Sequence, residues 1–112
     1  RRIYLYILTQ AGFQVDGAAD GVETLSKCIK EKYDLVLLDI IMPNLDGLAT
    51  LKELRDHPEK YGNMVIYMLT NIGNDVAIEK AVSLGARGYI LKADTAPDEL
   101  VKQVSSVFTQ SN

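Results

Sequence analysis

Two apolar runs constrain this chain more than any other feature. Asp34-Leu35-Val36-Leu37-Leu38-Asp39 is a row of aliphatic residues closed at each end by a carboxylate, and Met64-Val65-Ile66-Tyr67-Met68-Leu69 is nearly as continuous. Neither alternates apolar with polar residues, so neither leaves a face to water. Such runs read as strands buried on both faces, the pattern of a parallel sheet. Parallel neighbours cannot be joined by a tight turn and need a crossover, usually a helix. The order of the remaining segments therefore decides the fold.

Those segments read as helices with one or two further strands. Residues 2–11 predict a helix that stops at Gly12, a residue suited to the left-handed C-terminal cap. Phe13 to Ala18 reads as a short strand. Asp20 with Glu23 three positions later is a capping-box variant, opening a helix to about Lys32 with Val22, Leu25 and Ile29 as its apolar stripe. Asp46 caps a helix carrying Leu48, Leu51 and Leu54 that ends before Pro58. Asn74 or Asp75 opens another through Leu84, closed by Gly85, and Gly88-Tyr89-Ile90-Leu91 is a third short strand. Thr95 with Asp98 is a second capping box, starting a final helix through Leu100, Val104, Val107 and Phe108. Strands alternating with helices predict one α/β domain over residues 1–112, with helices on both faces of a parallel sheet.

Composition removes several function classes. The 112 residues carry a net charge of −3 and no basic run, so direct nucleic-acid binding by this domain is not expected. No apolar run approaches the roughly 18 residues of a membrane span. The single cysteine, Cys28, excludes an internal disulfide and fits a reducing, cytoplasmic compartment. The lone His57 has no Cys or His at ligand spacing, which argues against zinc. Cys28 reads as an ordinary helix residue and His57 as a turn residue.

In open parallel sheets ligands bind at the carboxyl ends of the strands. Three polar residues close the apolar strands there: Asp39, Thr70 and, just past Leu91, Lys92. Taken singly, each reads as a turn or capping residue at least as well as a functional one. Together, a carboxylate, a hydroxyl and an ammonium make a small anion-handling site with a candidate nucleophile.

The loop Asp39-Ile40-Ile41-Met42-Pro43-Asn44-Leu45-Asp46-Gly47 sharpens this reading. With Gly12-Phe13, Ala19-Asp20-Gly21, Leu69-Thr70, Gly85-Ala86, Gly88-Tyr89 and Lys92, it resembles the receiver domain of two-component response regulators over nearly the whole chain. The resemblance implies a flavodoxin-like, doubly wound fold and a phosphorylation-controlled switch. Asp39 would be the phosphoacceptor, Lys92 would pair with the phosphoryl group, and Thr70 would donate its hydroxyl to a phosphoryl oxygen. The backbone carbonyl of Ile41 would join Asp39 as a ligand of Mg²⁺, and Tyr89 would be the switch aromatic. The partner implied is a sensor histidine kinase or phosphotransfer protein. The switching face would be the fourth helix, last strand and last helix of the family. The domain would be a phosphoacceptor with at most weak autodephosphorylation, not an enzyme.

Departures from the family pattern carry their own expectations. Ala93 follows Lys92 where many receivers have proline, and a cis bond before a non-proline residue costs roughly 2.5–4 kcal/mol. Asn71 stands where a small residue is common, implying narrower access to the phosphoryl site and slower hydrolysis. The first, central strand of receivers and its acidic pair are expected to be absent from this chain, leaving a poor Mg²⁺ site and open strand edges. Such edges would favour a homodimer or strand-exchanged oligomer. The main rival reading is a receiver-like interaction module that is not phosphorylated. A phosphatase with a strand-end Asp nucleophile is disfavoured, because Ile40 and Ile41 follow Asp39 where that chemistry needs a second acid. Without the resemblance Tyr89 would read as an ordinary strand aromatic, and Ile78 with Val82 as either core or an exposed strip.

Overall fold

Side-chain caps start two of the helices where the sequence places them. The structure is a computed structural model, and it describes residues 8–10, 12, 20–39, 46–70, 75–91 and 96–109. Helix α1 spans Gly21–Lys30, and the Asp20 carboxylate accepts from the Glu23 backbone N–H at 2.8 Å. Helix α2 spans Gly47–Asp56, where Asp46 does the same for Ala49 at 2.8 Å and the Thr50 hydroxyl donates to the Asp46 carbonyl. Each cap satisfies N–H groups that have no partner within the helix.

Strand β1 spans Leu35–Asp39, β2 Val65–Thr70 and β3 Gly88–Leu91. They form a parallel sheet in the order β1-β2-β3, with Leu35 through Asp39 opposite Val65 through Leu69 and Tyr67 through Thr70 opposite Gly88 through Leu91. Helix α4, Asp75–Ser83, crosses between β2 and β3. It ends as expected at Gly85, whose φ of +113° is the left-handed geometry that suits glycine. The Gly85 N–H donates to Val82 and the Ala86 N–H to Ala81, closing the last carbonyls.

The chain divides into two units, Arg1–Gly17 with Asp94–Asn112, and Ala18–Ala93. In the larger unit one sheet face, with Val36, Leu38, Ile66 and Met68, forms a closed core with Cys28, Leu51, Leu54 and Tyr61 from the helices. In the smaller unit residues 8–10 are helical, Gly12 has a positive φ and donates to the Thr9 carbonyl, and helix α5 spans Pro97–Thr109 with Leu100 and Val104 buried. The rest of the helix expected over residues 2–11, the strand expected from Phe13 to Ala18, and Thr95 lie outside the described residues, as do the side chains of Val107 and Phe108.

One expectation is corrected by the packing of α1. Val22 and Ile29 are 56% and 48% exposed; the line of α1 that meets the core is buried Gly21 and Cys28 with partly buried Leu25, rotated away from the expected stripe. Cys28 is thus a core residue, and burial pushes its thiol pKa up. His57 lies between helices as expected, joining α2 to a one-turn helix α3, Pro58–Tyr61, with Pro58 at its first position.

Two side chains fasten this region. The Arg55 guanidinium donates to the Met64 carbonyl at 2.7 Å and to the Gly85 carbonyl at 3.0 Å, tying α2 to the segments that enter β2 and β3. Burial, with Arg87 nearby, draws its pKa below the ordinary value. The buried Tyr61 hydroxyl donates to Glu53 at 2.8 Å. Burial, then the hydrogen bond to Glu53, pushes the Tyr61 pKa from 10.0 up to about 12. A pKa raised in the folded state means that this contribution to stability is whole below pH 10 and is lost as pH rises toward about 12. A Tyr61→Phe chain should therefore lose less stability than the parent between those two pH values, as read by melting temperature against pH.

Candidate functional site

The carboxyl edge of the sheet gathers two of the expected polar residues. Asp39 ends β1 and Thr70 ends β2, and they are 7% and 2% exposed. Because Asp39 lies opposite Leu69, Thr70 sits one residue further along the neighbouring strand. With ordinary strand spacing and rise, their Cα atoms stand roughly 6 Å apart. Both positions follow from local sequence: the aliphatic runs set the strands, and the polar residue falls where each run stops.

A carboxylate buried to this degree needs compensation by neighbours, since an isolated charge is costly away from water. Its Oδ1 atom is itself fully buried. An acid held at a strand end beside a hydroxyl suits attack on an electrophile with a hydrogen-bond donor for the oxygen that gains charge.

Tyr89 lies on β3 opposite Met68, and Leu91 lies opposite Thr70. Strand alternation puts Tyr89 and Thr70 on the same sheet face, two residues apart along adjacent strands, or roughly 8 Å between Cα atoms. The Tyr89 side chain is 48% exposed, so here the ring faces outward. Lys92 follows Leu91 directly, yet Lys92, Ile41, Asn71 and Ala93 all lie outside the described residues. Asp39 and Thr70 therefore close neighbouring strands and Tyr89 shares a sheet face with Thr70, while the lysine, the carbonyl and the Lys92-Ala93 bond lie outside the described residues.

Ile78 is partly buried against the core, while Val82 is exposed, which separates two residues that the sequence treats alike. The Arg55 clamp was not foreseen: its carbonyl partners are nine and thirty residues away, a separation with no local signal.

A parallel α/β sheet with an acid and a hydroxyl closing adjacent strands defines the general class. Residues 1–105 match the family of the response regulator receiver domain, and the chain belongs to that family. It is 37% identical over 105 residues to a transcriptional regulatory protein CpxR homolog from Haemophilus influenzae, a match covering 94% of this chain and 44% of that protein. The chain thus spans less than half the length of that relative. Among solved structures it resembles a two-component response regulator from Clostridium difficile, with TM-score 0.87, 26% identity and coverage of 99% and 88% of the two chains. It also resembles the receiver domain of NtrX from Brucella abortus, with TM-score 0.84, 28% identity and coverage of 97% and 89%. The flavodoxin-like α/β fold expected from the sequence is the fold of these neighbours.

Receiver domains generally bind Mg²⁺. Among the described residues no group of three His, Cys, Asp or Glu side chains is placed to hold a metal ion, and Asp39 is the one carboxylate that closes a strand at this edge. Mg²⁺ takes octahedral oxygen coordination from one or two carboxylates and waters, and Asp39 is the described side chain that would hold it. No helix among the described residues is long and apolar enough to cross a membrane.

Proposed function

We propose that this domain is a phosphorylation-controlled switch of a two-component system whose phosphoacceptor is Asp39. The buried carboxylate that ends β1, with Thr70 ending the neighbouring strand one residue further on, is the observation that carries the reading. One Asp39 oxygen attacks the phosphorus of a phosphohistidine on a sensor kinase or phosphotransfer protein. The new O–P bond forms as the N–P bond breaks, and the imidazole nitrogen leaves with that electron pair. The product is an acyl phosphate, which water hydrolyses back to carboxylate and inorganic phosphate.

The chain's own groups do the positioning. The Thr70 hydroxyl donates to a phosphoryl oxygen, and the Lys92 ammonium, one residue past β3, offsets the added charge of about −1.5 to −2. Drawing Thr70 toward the phosphate vacates space on the face that it shares with Tyr89, and the outward ring turns inward. Exposed Val76 and Val82 on α4, with Tyr89 on β3, form the surface that this motion alters. In the whole protein that change is passed on to control of transcription, the role named for the Haemophilus influenzae relative.

The test is phosphoryl uptake by the full-length protein from labelled acetyl phosphate in Mg²⁺ buffer. The expected product is stable to brief acid and cleaved by hydroxylamine, as an acyl phosphate is. Absence of hydroxylamine-sensitive label would favour the rival reading of an interaction module that is never phosphorylated.

A further inference from the structure

Helix α1 carries an apolar line that the core does not use. Val22, Ser26 and Ile29 recur at the i, i+4 and i+7 spacing that puts residues on one helix face, and all three are exposed. The adjoining face, about 100° around the helix, with Gly21, partly buried Leu25 and Cys28, is the one that meets the core. Large aliphatic side chains set in a line over water, with charges beside them, are characteristic of an association surface.

The charges choose the occupant. Glu23 lies in the first turn, where it already pairs with Lys27 of its own helix at 3.7 Å, and Lys27 and Lys30 lie in the last. A second copy of α1 laid antiparallel brings the acidic end of each helix onto the basic end of the other. A parallel copy would set like charges together. Antiparallel alignment also opposes the two helix dipoles favourably. We propose that α1 pairs with α1 of a second copy across a two-fold axis through Ser26. Val22 of each chain then packs on Ile29 of the other, and Glu23 of each faces Lys30 of the other. Two-fold symmetry makes every contact twice from one patch. A single helix stripe falls in the small-interface class, below about 1,200 Å², so the association is weak and concentration-dependent. It does not depend on phosphorylation and stands apart from the α4 and β3 surface.

Cysteine cross-linking of the full-length protein reads this geometry directly. Ser26→Cys places two thiols at the axis, and mild oxidation with copper phenanthroline should form a covalent dimer about ten-fold or more faster than Lys52→Cys, an exposed control on α2. Native Cys28 is buried and should not compete. Adding Glu23→Lys should lower the rate to that of the control, and Glu23→Lys with Lys30→Glu should restore it. Ile29→Lys, at an exposed position that leaves the core untouched, is the second disrupting variant. Equal rates for Ser26→Cys and the control, or no restoration by the double reversal, overturn the proposal.

Discussion

An Asp39→Asn variant of the full-length protein is expected to take up no hydroxylamine-sensitive phosphoryl label, while its melting temperature stays close to that of the parent. The first half follows from chemistry: an amide oxygen is too weak a nucleophile to form the O–P bond, and no other carboxylate closes a described strand. The second half follows from packing. Asp39 is 7% exposed, and asparagine has nearly the same shape, so the exchange leaves no cavity in the packing around it. Loss of label without loss of stability separates loss of a reactive group from loss of the fold. Label that persists in the variant would move the acceptor elsewhere.

A Leu51→Ala variant is expected to lose about 2–5 kcal/mol of unfolding free energy, the range for deleting a buried leucine side chain. Leu51 is fully buried in the cluster with Leu38, Leu54, Ile66 and Met68, so neighbours on both helix and sheet lose contacts that little relaxation can replace. Domains of this size hold only about 5–15 kcal/mol in total, so a large share of the stability goes. Val82→Ala, at a side chain half exposed on α4, should cost no more than about 0.5 kcal/mol. Urea unfolding checks both: the midpoint should fall sharply for Leu51→Ala with the slope unchanged, and a loss under about 1 kcal/mol would contradict the packing described.

Much of the fold was legible because its signals are local. The aliphatic runs give β1 and β2 to within a residue, and Asp20 and Asp46 cap α1 and α2 through hydrogen bonds to groups three positions away. Gly85 ends α4 through its own backbone conformation. The one-turn helix α3 was missed, since four residues are too few for periodicity to show, although Pro58 after His57 was a usable signal. At the site, the strand-end places of Asp39 and Thr70 were readable for the same reason as the strands.

By itself, then, the sequence determined β1, β2 and β3, the Asp20 and Asp46 caps, the alternation that makes a parallel α/β sheet, and the polar residues that close β1 and β2. These depend on neighbours a few residues apart, whose hydrogen bonds and side-chain periodicity are written in order along the chain. Tertiary structure alone decided the register that puts Thr70 one step past Asp39, the outward Tyr89 ring, the Arg55 bonds to Met64 and Gly85, and which side of α1 is buried. Val22, Leu25 and Ile29 make an acceptable stripe on paper. Packing took Gly21, Leu25 and Cys28 instead, because the helix must present the side that fits the surface of β1 and the helices beside it. Helical periodicity names faces, and only contact with the rest of the core chooses between them.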